Sequence, residues 1–245
     1  MKYKAVNSQY KDLVQNTKKY FIASSQNIWD KRNQIKVIQF NGTKLTIKSF
    51  KIPHLINKFA YTFLRDSKAK RSYINSIRIS KFVPKAIGYI EYSKFGLFSN
   101  SYFISEKYDY DFTIREVLTQ KTFNNKALIL KQFASFTYEL HKNNIKHLDY
   151  SPGNILIKRN SDTQYEFKII DLNRMEFVTL TKEERLKNFS KLWATDEDLT
   201  LIMKAYAEVS IIDEKEAVNI ALRNSRKHKE KTSFKKRFKR EKNVN

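Results

Sequence analysis

The amino-acid sequence predicts an α+β fold with two lobes, a small and mostly antiparallel β lobe followed by a mainly helical lobe. Two strand pairs dominate the first 106 residues, whereas apolar residues at helical spacing dominate the chain that follows. With 41% hydrophobic residues, a chain of this length can bury a core. We therefore divide it into a lobe at 1–106, a lobe at 107–222 and a basic tail at 223–245.

The β lobe begins with a predicted hairpin at 35–50, IKVIQFNGTKLTIKSF. Apolar and polar residues alternate on both sides of Asn41-Gly42, a dipeptide suited to the positive φ angles of a type I′ turn. Residues 54–79 are predicted to be mainly helical and include the cationic stretch SKAKRSY. A second strand pair follows at 86–92 and 101–108, joined by a turn-rich loop.

The second lobe begins with an amphipathic helix predicted at 126–142, where apolar residues fall at helical spacing. Two short apolar strands, 155–157 and 167–170, are separated by a polar turn and indicate an antiparallel hairpin. Two later helices are indicated by pairs with capping-box spacing, Thr181 with Glu184 and Thr195 with Asp198. The apolar face of the last helix is formed by Leu199, Ile202, Met203 and Tyr206.

Charge and composition restrict the function classes. The chain has 48 Lys and Arg residues against 25 Asp and Glu, a formal charge of +23, which favours an anionic partner. It has no cysteine, which excludes disulfides and thiolate metal sites. We find no apolar run of secretion-signal or membrane-span type and no recognisable RNA-binding module. A cytoplasmic protein that does not bind nucleic acid is therefore expected.

The stretch HLDYSPGNILI, residues 147–157, holds the main candidates for chemistry. In the predicted hairpin, Asn154 enters the first strand beside Asp171, which leaves the second. An amide oxygen and a carboxylate form a hard oxygen site, which suits Mg²⁺ when phosphates supply its other ligands. Asp149 would face the same space and could accept a proton from a hydroxyl or orient it. Ordinary turn chemistry around Pro152-Gly153 is the alternative reading of Asp149 and Asn154.

His147, Asp149, Asn154 and Asp171, in this order and spacing, resemble the motif of the protein-kinase-like fold. The stretches IKSFKIP, SKAKRSY, HLDYSPGNILI and IIDLNRMEF together resemble the Kdo/WaaP family of lipopolysaccharide kinases, over roughly residues 30–195. The resemblance implies that Asp149 is the catalytic base and that Asn154 and Asp171 hold Mg²⁺. It also implies that His147 braces the loop and that Lys48 contacts the phosphates of ATP.

Two features depart from the kinase pattern. The chain has only four glycines and no glycine-rich phosphate loop, so the segment around Asp30–Asn33 would cover the nucleotide. Arg32, Asn33 and Glu106 are accordingly assigned, with Lys48, to the nucleotide site. The helix after Lys48 also has no glutamate at Ile74-Asn75 to pair with that lysine. Either Asp66 replaces it, or Lys48 is held otherwise, or activity is reduced.

The expected activity is ATP-dependent phosphorylation of a hydroxyl on an inner-core sugar of lipopolysaccharide, Kdo or heptose. The alternatives are an atypical protein Ser/Thr kinase, a small-molecule phosphotransferase resembling aminoglycoside kinases, and a non-enzymatic binder such as a pseudokinase. The excess of positive charge argues against a cationic drug as substrate. Expected partners are a core sugar or lipid A precursor and an anionic membrane surface, at the inner face of the inner membrane. No obligate protein partner is expected.

Overall fold

The structure is a computed structural model that describes residues 1–30, 33–50 and 55–241. It divides into two compact units. The first contains Met1–Asp109 and the short segment Asp171–Asn173, and the second contains Tyr110–Ile170 and Arg174–Asn245.

Helices and strands alternate irregularly along the chain, as expected for a mixed α+β fold. The strands are β1 Lys2–Ala5, β2 Asn27–Asp30, β3 Gln34–Phe40, β4 Thr43–Phe50, β5 Ala86–Lys94, β6 Leu97–Glu106, β7 Phe112–Thr113, β8 Ile145–His147, β9 Ile155–Arg159, β10 Tyr165–Ile169 and β11 Met175–Phe177. The helices are α1 Lys11–Gln15, α2 Thr17–Ala23, α3 Leu55–Phe63, α4 Lys68–Arg78, α5 Ile114–Thr119, α6 Lys126–Lys142, α7 Lys182–Asn188, α8 Asp196–Ser210 and α9 Glu214–Glu241. The predicted α+β class is confirmed.

A six-stranded antiparallel sheet in the order β1-β5-β6-β4-β3-β2 forms the first unit. The predicted hairpin is confirmed: Phe40 pairs with Thr43, and Asn41 and Gly42 have φ angles of 45° and 77°. The prediction of a longer loop between the next two strands, β5 and β6, is wrong. Those strands continue to a tight turn at Phe95-Gly96, where both φ angles are also positive.

An apolar cluster on one face of this sheet includes Leu45 and Ile47 of β4 and is covered by α1 and α2. Because Gly88 of β5 has no side chain, β1 can lie close to β5. A Cβ at this position would lie 2.6 Å from both the Lys4 carbonyl oxygen and Val14. Sequence reasoning missed β1 and both helices, since each is short and lacks a long periodic pattern.

The other face of the sheet packs against α4. Phe50 of β4 joins Ala69 and Tyr73 of α4 and Ala86 and Tyr89 of β5 in a second cluster. The single helix predicted between the strand pairs is two helices, because the Ser67 side chain accepts a hydrogen bond from Lys70 N–H and starts a new helix. The beginning of the predicted range, at residues 51–54, lies outside the described residues.

The second unit contains most of the elements predicted for it. Helix α6 has the predicted bounds, and the β9–β10 hairpin pairs Ile155 with Ile169. The capping box at Thr181 is present, whereas Thr195 caps α8 through its own side chain and Asp198 instead pairs with Lys126, at 2.9 Å. The four residues predicted for the apolar face of α8 are all buried.

The last described element is α9, whose basic second half covers most of the described part of the predicted tail. Among the described residues, no helix combines the length and the apolar character needed to cross a bilayer.

Candidate active site

The loop from β8 to β9 is organised by His147. Its Nδ1 accepts a hydrogen bond from the main-chain N–H of Asp149, at 3.0 Å. Its Nε2 must then carry the proton, which it donates to the carbonyl of Ile170, at 2.9 Å. The ring is buried, at 1% exposure, so it ties the loop to the end of β10 as a neutral imidazole.

Asn154 closes the same loop from its other end. Its side-chain Nδ2 donates to the Asp149 carbonyl, at 2.9 Å, which leaves Oδ1 as the amide's acceptor atom. Ile170 N–H donates to the Asn154 carbonyl, at 3.0 Å. The register therefore sets Asn154 level with Ile170, one residue before Asp171.

The main chain of Asp149 is hydrogen-bonded at both its N–H and its carbonyl group, whereas, among the described residues, its side chain is not. Ser151 N–H also donates to the Asp149 carbonyl, at 2.7 Å. In the part of the chain that the structure describes, no hydrogen bond or ion pair reaches the carboxylate of Asp149, which is half-buried. The backbone is thus held in place while the carboxylate remains able to accept a proton or a hydrogen bond.

Helices of the second unit hold this loop through contacts that sequence reasoning missed. Asn188, at the end of α7, donates to the His147 carbonyl, at 3.0 Å, and Lys191 donates to the Leu148 carbonyl. Tyr150 is fully buried, and its hydroxyl shares a hydrogen bond of 2.8 Å with Thr137 of α6. Burial raises the pKa of Tyr150 far above its usual range, so it acts as a neutral anchor.

Arg115 of α5 is a second feature that sequence reasoning missed. A Cβ at Gly153 would lie 2.4 Å from its Nη2 atom and 3.0 Å from its Cζ atom. Because Gly153 has no side chain, the Arg115 guanidinium can lie directly against the loop. No sequence pattern connects α5 with the loop, since the contact arises only on folding.

Within the first unit, Lys48 and Asp171 form an ion pair. Lys48 Nζ lies 2.6 Å from Asp171 Oδ1, and the two side chains are 16% and 27% exposed. Asn173 Nδ2 donates to the same oxygen, also at 2.6 Å. Asp171 has a left-handed φ of 63°, a conformation that aspartate tolerates better than most residues do. The cation and the carboxylate are thus brought together from positions 123 residues apart.

This pair explains how Lys48 is held without a helix glutamate. Asp66 does not replace that glutamate, because it precedes α4 and pairs with Lys70 of that helix, at 2.7 Å. At the glutamate-free position on α4, Asn75 Nδ2 donates to the Leu172 carbonyl, at 2.6 Å. Helix α4 therefore contacts the Asp171–Asn173 segment through a neutral amide, and Lys48 contacts that segment directly.

Three other residues were predicted to form the nucleotide site with Lys48. Arg32 lies outside the described residues, and Asn33 is half-buried in the bend before β3. Glu106 ends β6 and pairs with Lys85, at 2.9 Å. In the ladder Lys48 is opposite Phe103, so Glu106 is three positions further along β6, about 10 Å away.

The donor chemistry of the predicted metal ligands is that of a hard cation site. Asn154 offers an amide oxygen and Asp171 a carboxylate, the ligand types that Mg²⁺ takes together with phosphates. Within residues 1–30, 33–50 and 55–241, no three His, Cys, Asp or Glu side chains cluster as a metal site. One amide oxygen and one carboxylate would leave most of the six positions of a Mg²⁺ ion to other ligands, such as phosphate oxygens and water.

Comparison with known proteins identifies the family. The model of the "Lipopolysaccharide kinase (Kdo/WaaP) family" matches residues 67–210, which is more than half of the chain. No curated protein matches. A solved structure described as "WaaP in complex with acyl carrier protein" is similar in fold, with a TM-score of 0.59 and 15% sequence identity. The match covers 93% of this chain and 99% of that one. The chain therefore belongs to the lipopolysaccharide kinase (Kdo/WaaP) family.

Proposed function

We propose that this protein transfers the γ-phosphoryl group of ATP to a hydroxyl of an inner-core sugar of lipopolysaccharide, Kdo or heptose. Family membership supports a lipopolysaccharide kinase. The observation on which the proposal depends is the loop geometry, in which both His147 and Asn154 bond to the main chain of Asp149. A carboxylate on so constrained a backbone can meet an acceptor hydroxyl without first reorganising.

Asp149 is the proposed catalytic base. Its carboxylate would accept a hydrogen bond from the sugar hydroxyl, orient the oxygen and take its proton during transfer. Positioned bases of this kind contribute about 10²–10⁴-fold to rate. His147, Asn188 and Lys191 would act as positioning residues, since each bonds to the main chain of the loop.

Asn154 and Asp171 are the proposed holders of Mg²⁺, which would neutralise phosphate charge when bound. Asn154 is suited to this because its Nδ2 is already used by the Asp149 carbonyl and Oδ1 is its acceptor atom. Asp171 follows Ile170 in the chain, and Ile170 N–H is bonded to the Asn154 carbonyl.

Lys48 is the proposed phosphate-binding cation, with Arg32, Asn33 and Glu106 completing the nucleotide site. Lys48 Nζ is oriented by Asp171, so the cation is held beside a proposed metal ligand. The side chain of Glu106 would first have to leave Lys85. That step costs little, because Lys85 is 65% exposed and surface pairs contribute at most about 1 kcal/mol.

A nucleotide-binding experiment tests the site. Thermal shift with Mg-ATP at about 100 times its dissociation constant should stabilise the wild type by about 2.7 kcal/mol. Asp171→Ala should lose most of this shift, whereas Asp162→Ala, on the exposed β9–β10 turn, should keep it. No shift in the wild type would overturn the assignment of ATP.

An acceptor assay tests the reaction. Radiolabelled transfer should be measured with Kdo- and heptose-containing lipopolysaccharide fragments, with protein acceptors in parallel. Asp149→Asn should lower kcat by at least 100-fold with little change in the KM for ATP. Labelling of proteins in place of glycolipid would identify the atypical protein kinase instead.

Two observations favour a second candidate, a pseudokinase that binds nucleotide without turnover. The helix glutamate is missing, and Lys48 pairs with the carboxylate proposed to hold the metal. A full Mg-ATP shift with no transfer to any acceptor would support this reading.

The proposed partners are a core sugar or lipid A precursor and an anionic membrane surface at the cytoplasmic face of the inner membrane. The similar solved structure contains acyl carrier protein, according to its description. We therefore add acyl carrier protein as a candidate partner, to be tested by co-elution with the purified chain. Co-elution at micromolar concentrations would replace the expectation that no obligate protein partner exists.

A further inference from the structure

The first half of α9 is fixed to the second unit by its buried face. Ala217, Ile220, Ala221 and Ser225 are buried at helical spacing. The next cations have partners in the fold, since Arg226 pairs with Asp196, at 2.6 Å, and Lys229 donates to the Ala194 carbonyl, at 2.7 Å. Arg226 and Lys229 therefore help to hold α9 against the second unit.

The second half of α9 has a different character. Beyond the half-buried Thr232, the described side chains are exposed, at 233–235 and at 237. The helix continues to Glu241, about 18 Å beyond Lys229 at 1.5 Å per residue. We call residues 231–241 the basic segment. Its cations are Lys231, Lys235, Lys236, Arg237, Lys239 and Arg240, and its acid is Glu241.

The charge pattern of the basic segment opposes the helix that it forms. Lys231 lies four residues from Lys227 on one side and four residues from Lys235 on the other, and all three are exposed. Like charges at this spacing destabilise a helix by a few tenths of a kcal/mol per pair. An anionic surface would relieve this repulsion, so the segment is better suited to a partner than to water.

We propose that the basic segment binds the phosphate-bearing head groups of an anionic membrane surface. Charge complementarity supports this partner. Phe234, which is 69% exposed, adds an aromatic ring of the kind that enters the head-group region. The inference rests on the proposed function only in that a lipid-linked substrate gives the enzyme a reason to be at a membrane. The family model ends at residue 210, before α9 begins.

Vesicle sedimentation of the full chain tests the proposal. Vesicles of phosphatidylcholine alone are compared with vesicles that contain 30% phosphatidylglycerol. A triple variant, Lys231→Gln with Lys235→Gln and Arg237→Gln, removes three exposed cations. At about 1 kcal/mol per cation near the surface, binding to the anionic vesicles should fall roughly 100-fold.

A matched control separates this surface from net charge. Lys11→Gln with Lys18→Gln and Lys19→Gln removes the same charge from exposed positions in the first unit. The control should keep vesicle binding within about threefold. Equal losses in both triple variants, equal binding to neutral vesicles, or no binding at all would overturn the proposal.

RNA binding and phosphoryl transfer by the triple variant should also be measured. Preference for a single-stranded RNA oligomer over anionic vesicles, lost in the same triple variant, would replace the membrane with nucleic acid. Phosphoryl transfer to a short, soluble sugar acceptor should be unchanged in the triple variant. If the wild type binds vesicles and transfers no phosphate, the proposed function fails and this inference stands.

Discussion

Acid should destabilise this protein through His141, which lies 3% exposed at the end of α6. Asn188 uses its Nδ2 to bond the His147 carbonyl, so its Oδ1 accepts from His141 Nε2–H, at 3.1 Å. His141 Nδ1 then accepts from the Tyr206 hydroxyl, at 2.8 Å. The neutral ring is therefore fully bonded, and protonation would break this arrangement.

The magnitude follows from the pKa of His141, which burial lowers to about 4; the hydrogen bond with Asn188 raises this pKa, and the charges of Arg185 and Lys146 lower it to a smaller extent. The unfolded chain has an ordinary histidine pKa of about 6.5 and binds the proton first. Stability contributed by the neutral ring is therefore complete above pH 6.5 and is lost as the pH falls towards 4. Between pH 7.5 and 5.5 the loss is about 1.3 kcal/mol, or a Tm decrease of about 3–5 °C.

Urea and thermal denaturation at pH 7.5 and 5.5 should measure this loss. His141→Gln, which cannot be protonated, should reduce the stability lost between pH 7.5 and 5.5 by about 1.3 kcal/mol, even though it lowers stability at pH 7.5. His228→Gln is the matched control. Burial also lowers the pKa of His228, but this ring is half-exposed, so its removal should change the slope less. An unchanged slope in His141→Gln would show that His141 is not the group that titrates.

Three further predictions concern single contacts. Asn75→Leu leaves the Leu172 carbonyl without its donor and should cost about 1–3 kcal/mol in urea denaturation; an unchanged midpoint would contradict this. Lys126→Met leaves the buried Asp198 carboxylate unpaired and should cost about 3–5 kcal/mol. Adding Asp198→Asn should restore much of that loss, and no recovery would show that the charge is not the cause. Thr181→Ala removes the α7 cap and should cost about 1 kcal/mol by thermal denaturation, whereas a stabilised variant would rule out the capping role.

Local chemistry explains which elements were predictable from sequence. The turn at Asn41-Gly42 was predictable because few pairs of residue types accept positive φ angles at two consecutive positions. Helix α6 and the cap at Thr181 follow from apolar spacing and from side chains that bond their own backbone. Short elements such as β1 and α1 have too few residues to show a period, and their positions depend on contacts such as the close approach at Gly88.

The chemical groups of the candidate site can be read from the sequence: Asp149, Asn154 and Asp171 surround a short hairpin, with His147 ahead of them. The partners of these groups are known only from the folded chain. It paired Lys48 with Asp171 across 123 residues, and it tied the loop to α7 through Asn188. The physical reason is that turns and caps are set by neighbours in the chain, whereas ion pairs and buried amides form only where packing brings distant residues within about 3 Å.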